Sequence, residues 1–435
     1  MTQLRRRKIA DTDVLTATQA AALLGVKPQT LYAYVSRGLL RSRASPGTRQ
    51  KRYARSDVVR LKQRADARRG AAPLASSALS WGAPVIESAI TLIDDDGPCY
   101  RGRDPRSFLA CRVQRGGDPF AACASWLVRG AVAGIDLPAP SGPWLEEVKA
   151  IARCIRRLAR AQPPRTPLAC IDIVLTAWRL RGPAGVVDVE HEWRKAAALL
   201  AHVCASPVLQ HTPDAFVAFT PTPTTTLAAA FGLDVADDDA IDLLATLLLV
   251  TADHELNAST FAARITAATG ATLAASLSAA LATVSGPKHG AMCDRVEALL
   301  AEVGTRKRAS VVVTERLARG DGVPGFGHPL YPRGDQRAVA VFAHPVMQDI
   351  DDDVAAAVIE AWRGVVGDNA LTRPSVDFAL VAACRALGLP TGAATAVFAI
   401  ARCAGWAAHV FEQRDSPVLL RPRAQYTGPA RTATP

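Results

Sequence analysis

Three histidines stand in turn-like settings in the C-terminal half of the chain, and an aspartate follows them. The settings are Asp-His-Glu-Leu-Asn around His254, Gly-Pro-Lys-His-Gly around His289, Gly-Phe-Gly-His-Pro around His328 and Pro-Ser-Val-Asp-Phe around Asp377. Glycine allows the backbone to approach a ligand closely, and proline stiffens the turn that carries a side chain. Imidazole and carboxylate groups held in this way are suited to general acid–base chemistry. The pattern therefore predicts an enzyme.

Composition limits the class of protein. At 435 residues the chain is long enough for roughly two to four domains of about 150 residues each, and its hydrophobic fraction of 49% allows a large core. No apolar run of about 18 residues is present, which argues against a membrane span, and no secretory signal is found. Nine cysteines are scattered singly, which is typical of reduced thiols in a cytoplasmic protein. The sequence has no metal-binding spacing, so neither a metal nor a cofactor is expected.

The positive charge is concentrated at the N-terminus. Residues 1–70 contain 17 Lys and Arg against four Asp and no Glu, whereas the remainder is close to neutral in a chain of net charge +11. A basic module on a near-neutral body indicates a polyanionic partner for that module. A solvated basic tail is the alternative explanation.

This basic module alternates between helix and turn signals. A helix is predicted over Thr16–Leu24 with Gly25 as its stop, and a second helix begins at Pro28, because proline favours the first helical position. The basic segment Arg41–Tyr53 predicts a hairpin wing, and a third helix is predicted over Val58–Arg68. Two helices joined by a short glycine-containing turn form the outline of a helix-turn-helix.

The stretch Thr18–Val26, with Leu31-Tyr32 and Arg52-Tyr53, resembles the winged helix-turn-helix domains of the MerR and excisionase type. The resemblance implies that the second helix enters a DNA major groove and that the wing contacts phosphates. The residues that it implicates in DNA binding are Gln29, Thr30, Arg37, Arg49, Lys51 and Arg52. A module retained only for docking or oligomerisation is the alternative.

The rest of the chain is predicted to be almost entirely helical. A small hairpin is predicted from Val85–Leu92, an aspartate turn at Asp94–Gly97 and Cys99-Tyr100. Beyond it, alanine-rich helical patterns broken by prolines predict an all-α body with only marginal β structure.

Six fragments of this body, taken in order, resemble the citrate synthase family. They are Tyr100-Arg101-Gly102, Asp253–Thr260, Ser285–Gly290, Gly325–Tyr331 with Asp335–Arg337, Ser375–Phe378, and Ala401–Trp406 with Glu412–Arg414. The resemblance implies an all-α fold with citrate synthase-like large and small helical domains, preceded by a small winged helix-turn-helix domain. The implied ranges are 1–70 for the winged domain, 71–80 for a linker, 81–289 for the large domain, 290–389 for the small domain and 390–435 for a return to the large domain and a tail.

The resemblance also implies a division of chemical roles. Citrate synthases deprotonate the methyl group of acetyl-CoA, add the enol to the ketone of oxaloacetate, and hydrolyse the thioester. Because a thioester α-proton is weakly acidic, its removal must be coupled to stabilisation of the enolate oxygen. By resemblance, Asp377 is the base, His289 donates a hydrogen bond to the thioester carbonyl, and His328 polarises and protonates the ketone. His254 is similar to the oxaloacetate-binding histidine of the family.

Three arginines resemble those that bind the dicarboxylate, since a planar guanidinium pairs bidentately with a carboxylate. They are Arg337, Arg402 and Arg421. In the family the last of them reaches across a two-fold interface, which implies a homodimer as the minimal active unit. Surface ion pairs for Arg402 and Arg421, and a helix cap for Asp377, are the alternatives. Five other histidines are expected to be core or surface groups: His191, His202, His211, His344 and His409.

On the side of coenzyme A the match is less complete. The residues implied to bind it are Val323, Gly325, Phe326 and Gly327, in the loop that resembles the adenine-binding segment, and Arg333. Pro332 occupies a place where family members often carry Lys or Arg, and Ser375 stands where an Asn is common. These departures imply an altered affinity for coenzyme A with the condensation residues complete.

The implied function is citrate formation from oxaloacetate and acetyl-CoA, with the acyl-CoA as a substrate and no further cofactor. One alternative is a 2-methylcitrate synthase that uses propionyl-CoA, because one methylene changes binding by only about 1–3 kcal/mol. The other is a DNA-binding regulator whose synthase body senses metabolites. Retention of Asp377 favours turnover, since sensing requires only the arginines.

Overall fold

The protein is described by a computed structural model. The described residues are 14–24, 26, 28–36, 40, 42–44, 51–54, 58, 86–131, 137–182, 189–287, 289–348, 354–369, 372–416, 418–421 and 428. They fall into two compact units, one within Met1–Glu87 and one that begins at Ser88. The predicted linker at 71–80, the third helix beyond Val58, and Gly25 lie outside the described residues.

The N-terminal unit contains two helices and a three-stranded antiparallel sheet. Its elements are β1 (Val14–Thr16), α1 (Ala17–Leu24), α2 (Pro28–Ser36), β2 (Arg43–Ala44) and β3 (Lys51–Ala54). The strand order is β1-β3-β2, with Arg43 opposite Arg52 and Leu15 opposite Tyr53. The predicted hairpin wing is therefore confirmed, and β1 joins it as a third strand that the sequence analysis did not anticipate.

Local hydrogen bonds explain where α1 begins. The amide of Gln19 donates to the hydroxyl of Thr16 at 3.2 Å, and the amide of Thr16 donates to the side-chain carbonyl of Gln19 at 2.9 Å. This reciprocal pair is a capping box, so Thr16 precedes the helix instead of forming its first residue. Leu31 and Tyr53 are fully buried in the small core beneath the two helices.

The body consists of fifteen described α-helices and one hairpin. The hairpin strands are β4 (Thr91–Asp94) and β5 (Gly97–Tyr100). The helices are α3 (Ala110–Arg115), α4 (Pro119–Arg129), α5 (Gly142–Ala161), α6 (Pro167–Arg181), α7 (Val189–Ala205), α8 (Pro223–Ala230), α9 (Asp238–Thr251), α10 (Ala258–Ala268), α11 (Leu273–Val284), α12 (Met292–Val303), α13 (Ala309–Ala318), α14 (Gln336–Phe342), α15 (Val354–Val366), α16 (Val376–Ala386) and α17 (Ala393–Arg414).

The hairpin is shorter than predicted. The first strand begins at Thr91, so the predicted start at Val85 is wrong for the described part of that range, which begins at residue 86. The pairing with β5 ends at Ile90, whose carbonyl accepts from the amide of Arg101 at 2.7 Å but whose own amide donates to the hydroxyl of Ser88 at 3.4 Å. The amide of Ala89 donates to Glu412 at 2.8 Å. The amides of Ala89 and Ile90 are therefore unavailable to a longer ladder.

Helix α17 forms the centre of the body. It packs against α4, α6, α7, α9, α10, α11 and α16, and nearly all of its side chains are buried. By length and composition it could cross a membrane, but 94% of its apolar window is buried inside the protein. The small alanine side chains of α10, α11 and α17 allow these helices to pack closely, which agrees with the all-α prediction.

Candidate active site

His254 lies in the turn between α9 and α10, and it is only 7% exposed. Its Nε2 is 2.8 Å from the hydroxyl of Tyr331. The ring centroids of His254 and His328 are 5.3 Å apart, and the two rings are nearly perpendicular. Two of the histidines that the sequence singled out are therefore neighbours, although 74 positions separate them in the numbering.

The loop that carries His328 is fastened to the segment preceding α16. The amide of Gly327 donates to the carbonyl of Arg373 at 3.0 Å, and the amide of Ser375 donates to the carbonyl of Gly325 at 2.8 Å. Gly325 has φ +88°, and a Cβ there would lie 2.7 Å from a methyl carbon of Val296. Only glycine fits this position. The loop and the start of α16 consequently form one rigid piece.

Asp377 lies in the first turn of α16, where Ser375 is the N-cap residue. The helix-cap alternative for Asp377 is therefore wrong. The hydroxyl of Ser375 donates to Oδ2 of Asp377 at 3.3 Å, and the thiol of Cys293 lies 3.7 Å from Oδ1. Burial raises the pKa of Asp377, although the positive charge of Arg337 opposes this. The result is a carboxylate that is more basic than an exposed one.

His289 is half-buried in the turn that follows α11. Its Nε2 is 2.8 Å from the hydroxyl of Ser259, which also accepts a hydrogen bond from the indole of Trp406 at 3.3 Å. The ring of Phe398 is perpendicular to the imidazole at 6.5 Å. Three helices thus fix the orientation of His289: α10, α17 and, through its end, α11.

Arg337 and Arg402 are both almost completely buried. Nε and Nη2 of Arg337 donate to the two carboxylate oxygens of Asp335 at 2.9 and 2.8 Å, and Asp335 also accepts from the amide of Val376 at 2.9 Å. Nε of Arg402 donates to the carbonyl of Thr251 at 2.9 Å. Nη1 of Arg402 is buried and has no hydrogen-bond partner among the described residues. A buried cationic donor of this kind is suited to an anionic ligand.

Burial, reinforced by the two arginines, sets the protonation of the histidines. Burial and then the charge of Arg337 lower the pKa of His328 to about 4. Burial and then Arg402 lower the pKa of His289 to about 4. The pKa of His254 falls well below its usual value through burial, followed by both arginines. All three imidazoles are therefore neutral at physiological pH, and they share one electrostatic environment with Asp377.

The residues predicted to contact coenzyme A lie on the loop that carries His328 or close to it. Val323 and Gly325 are buried, and Phe326 packs 4.9 Å from the ring of Phe378. Arg333 is exposed and forms an ion pair with Asp95 in the β4–β5 turn. Their role toward coenzyme A stays a prediction.

The remaining predicted site residues lie elsewhere. Arg421 is exposed in the single chain, near the end of the described residues. On the N-terminal unit, Gln29 and Lys51 are exposed, and Thr30 and Arg52 are half-buried. Arg37 and Arg49 lie outside the described residues.

Four site residues received no role from the sequence analysis: Tyr331, Asp335, Ser259 and Asp253. Tyr331 and Asp335 stand three and seven positions after His328, and Ser259 follows the His254 turn. Closeness in sequence to the predicted histidines was the sign that could have pointed to these residues. Their hydrogen-bond partners, however, come from distant parts of the chain. Of the histidines expected to be structural, His202 bonds to the indole of Trp178 at 3.0 Å within the core. His409 is fully buried against Asp253.

Comparisons with known proteins agree with this arrangement. The model of the citrate synthase C-terminal domain matches residues 78–423, and a helix-turn-helix domain model matches residues 14–66. Citrate synthase 2 of Bacillus subtilis is 35% identical over 190 residues, which is 42% of this chain and 50% of that protein. The 2-methylcitrate synthase of Shewanella oneidensis is 31% identical over 183 residues, 42% of this chain and 49% of that protein. The chain therefore aligns with about half the length of these relatives.

Solved structures match a longer region. The citrate synthase of Thermoplasma acidophilum, in a ternary complex with carboxymethyl coenzyme A and oxaloacetate, aligns with a TM-score of 0.63 and 22% identity. That alignment covers 81% of this chain and 96% of the other. The citrate synthase of Thermotoga maritima gives a TM-score of 0.62 at 24% identity. At these identities the likeness concerns the fold, whereas the family model spans most of the chain. The chain belongs to the citrate synthase family and carries an N-terminal helix-turn-helix domain.

Proposed function

We propose that this protein condenses acetyl-CoA with oxaloacetate and hydrolyses the resulting thioester, which gives citrate and CoA. The observations that support this most strongly are the contact between the rings of His254 and His328, and the two buried arginines whose charges act on all three imidazoles and, for Arg337, on Asp377. Propionyl-CoA as the donor is the alternative, and the family relatives include enzymes named for each product.

Asp377 acts as the base in this proposal. Its raised pKa makes it a better proton acceptor than an exposed carboxylate. It takes the proton from the carbon next to the thioester, and negative charge then develops on the thioester oxygen. A donor must meet that oxygen, or the carbanion is too unstable to form.

His289 supplies that donor. With a pKa of about 4 it is a neutral imidazole, which carries one proton. The hydroxyl of Ser259 donates to Oδ1 of Asn257 at 2.7 Å and lies 2.8 Å from Nε2 of His289. In the proposed reaction this hydroxyl turns to donate to Nε2, which leaves the proton of His289 on Nδ1. The Nδ1–H group then donates to the enolate oxygen.

His328 and the arginines serve the second substrate. Nδ1 of His328 accepts from the amide of Leu330 at 3.2 Å, so the neutral ring carries its proton on Nε2. That proton goes to the ketone oxygen as the new carbon–carbon bond forms. The free Nη1 of Arg402 and the remaining Nη1 of Arg337 bind the carboxylates of oxaloacetate, together with His254.

Thiol release tests the proposal. The purified protein is mixed with oxaloacetate and either acetyl-CoA or propionyl-CoA, and free CoA is followed with a thiol reagent. We expect release with acetyl-CoA and a loss of at least about 100-fold in kcat for Asp377→Ala, since a positioned base contributes about 10²–10⁴-fold. Undiminished turnover in that variant removes Asp377 as the base. Faster CoA release with propionyl-CoA than with acetyl-CoA would identify 2-methylcitrate as the product instead.

We also propose that the N-terminal unit binds duplex DNA. The observations that favour it are the helix-turn-helix match at 14–66, the exposed Gln29 at the start of α2, and Lys51 exposed on the wing strand. Binding by basic side chains to phosphates releases counterions, so it weakens as salt is added.

Fluorescence anisotropy with a labelled duplex tests this second function. We expect salt-sensitive binding that is weakened by Lys51→Glu and lost on deletion of residues 1–72, while thiol release is retained. Lys307→Glu, an exposed lysine of the body, is the matched control and should leave duplex binding unchanged. Equal binding by all four proteins contradicts a DNA-binding role for the module.

A further inference from the structure

A completely buried carboxylate, Asp253, immediately precedes His254. Its Oδ2 accepts from the hydroxyl of Thr91 on β4 at 2.5 Å and from Nε2 of His409 on α17 at 3.3 Å. The same oxygen accepts from the amide of Glu255 at 3.3 Å. One carboxylate oxygen therefore ties together the hairpin, the central helix and the turn that carries His254.

That turn is strained. Glu255 has φ +56°, a left-handed conformation that non-glycine residues adopt at an energetic cost. On its other side, the amide of Asp253 donates to the hydroxyl of Tyr100 at 3.1 Å. Because the carboxylate of Asp253 accepts from the amide of Glu255, it stabilises the left-handed backbone conformation of Glu255, which is unfavourable by itself. His254 sits between these two restraints.

Helix α17 closes off the remaining space around this turn. A Cβ at Gly405 would lie 2.4 Å from both the carbonyl of Ala252 and Oδ1 of Asp253. The amide of Gly405 donates to that carbonyl at 3.1 Å. Backbone-to-backbone packing at this distance leaves the turn no freedom to shift toward the helix.

The charges around Asp253 are arranged to keep it ionised. Burial alone would raise its pKa, but His409, and then Arg402, hold the pKa below its usual value. Nδ1 of His409 accepts from Nη1 of Arg264 at 3.0 Å, so the proton of His409 lies on Nε2, facing Asp253. Arg264 in turn pairs with Glu412 at 2.5 Å. A chain of hydrogen-bonded polar side chains thus runs from the partly exposed Glu412 to Asp253 in the turn.

We infer that Asp253 is a positioning residue, which holds His254 in the geometry that binds oxaloacetate. The inference rests on the proposed function, because oxaloacetate is the ligand that it concerns. Asp253 does not touch the substrate in this assignment. It acts through the backbone of His254 and as the counter-charge of Arg402.

The test measures oxaloacetate binding by titration calorimetry, and turnover separately. Asp253→Asn keeps the shape and one acceptor oxygen, but its uncharged amide accepts the three hydrogen bonds more weakly and no longer balances the charge of Arg402, so we expect the Kd and KM for oxaloacetate to rise at least about tenfold. The KM for acetyl-CoA should change by less than about twofold, because no hydrogen bond among the described residues joins Asp253 to Asp377 or His289, the residues proposed to act on that substrate. Thr91→Val removes one donor at the half-buried edge, and should raise the Kd about threefold.

Asp118→Asn is the matched control. Asp118 is another buried carboxylate, which accepts from the amides of Phe120 and Ala121 at the start of α4 and from Thr224. The Asp118→Asn substitution should lower the stability of the protein and leave the Kd for oxaloacetate unchanged. An equal loss of binding in Asp118→Asn would show that Asp253 is merely structural, as would wild-type binding in Asp253→Asn.

A rescue experiment separates positioning from general stability. Glycine adopts positive φ without cost, so Glu255→Gly should restore part of the oxaloacetate affinity of Asp253→Asn. If Asp253→Asn does not fold, the test relies on Thr91→Val. An unchanged Kd for oxaloacetate in Thr91→Val then overturns the inference. Failure of the wild-type protein to bind oxaloacetate or release thiol contradicts the proposed function itself, which is a different outcome.

Discussion

At the scale of single residues, burial together with two buried arginines keeps the histidines neutral. Arg337 and Arg402 are buried cations, and each disfavours a second positive charge nearby. The histidines respond by staying neutral, so each has one proton whose place is set by a hydrogen-bond partner. Ser259 sets it for His289, and the amide of Leu330 sets it for His328.

These low pKa values predict an unusual pH profile. An ordinary histidine has a pKa of 6.5, whereas His289 and His328 have pKa values of about 4. We expect kcat/KM for oxaloacetate to stay flat from pH 8 through 6.5, and to fall only at lower pH, as the imidazoles and Asp377 take up protons. Initial rates over pH 4–8 check this. An acidic limb centred near 6.5 contradicts it.

The lowered pKa values of the histidines also make the stability of the fold depend on pH. A histidine whose pKa is lower in the folded than in the unfolded state binds fewer protons when folded, so folding weakens as the pH falls from 6.5 toward 4. The loss of rate at low pH must therefore be separated from unfolding, which circular dichroism at each pH achieves.

At the scale of elements, the sequence predicted the turns that carry chemistry better than it predicted their supports. Glycine, proline and histidine mark the loops locally, so His254, His289 and His328 could be found from their neighbours alone. The supports depend on distant pairs. Asp335 fastens α14 to α16 through the amide of Val376, and such a bond leaves no local pattern.

The same reason explains the error in the hairpin. The predicted strand includes residues 86–90, but the amide of Ala89 donates to the side chain of Glu412. Similarly, β1 joins the wing of the N-terminal unit through pairing with β3, across more than 30 residues. Local propensity predicts the type of element, whereas its ends are set by tertiary partners.

Close packing of α17 against the His254 turn gives a second prediction. Gly405→Ala places a methyl group where two oxygens already lie at 2.4 Å. We expect a loss of about 1–3 kcal/mol in the free energy of unfolding, as in overpacked cores, and a raised KM for oxaloacetate because the turn must move. Chemical denaturation and steady-state kinetics measure the two effects.

Gly364→Ala is the matched control for this change. Gly364 lies in α15, is exposed, and a Cβ there has open space. Alanine favours the helix over glycine by about 0.5–1 kcal/mol, so this variant should gain stability and keep its KM. A stable Gly405→Ala protein with wild-type kinetics would mean that the helix and the turn can separate at little cost.

At the scale of the whole molecule, the site of one chain contains Arg337 and Arg402, while Arg421 is exposed near the last described residues. If Arg421 completes the site of a partner chain, as the family resemblance implies, the two-fold symmetry places each Arg421 opposite the other chain's Asp377. Both residues are then needed for one site, but they come from different chains. Two inactive variants can consequently complement each other.

Mixing Arg421→Ala with Asp377→Ala tests this arrangement. Each variant alone should be inactive or nearly so. After unfolding and refolding together at equal amounts, half of the dimers are mixed, and each mixed dimer has one intact and one doubly altered site. We expect recovery of about a quarter of the wild-type kcat, by this symmetry argument. No recovery, with dimers shown by light scattering, means that Arg421 serves its own chain. A monomer with full activity excludes a shared site, because one chain then holds every residue that the chemistry needs.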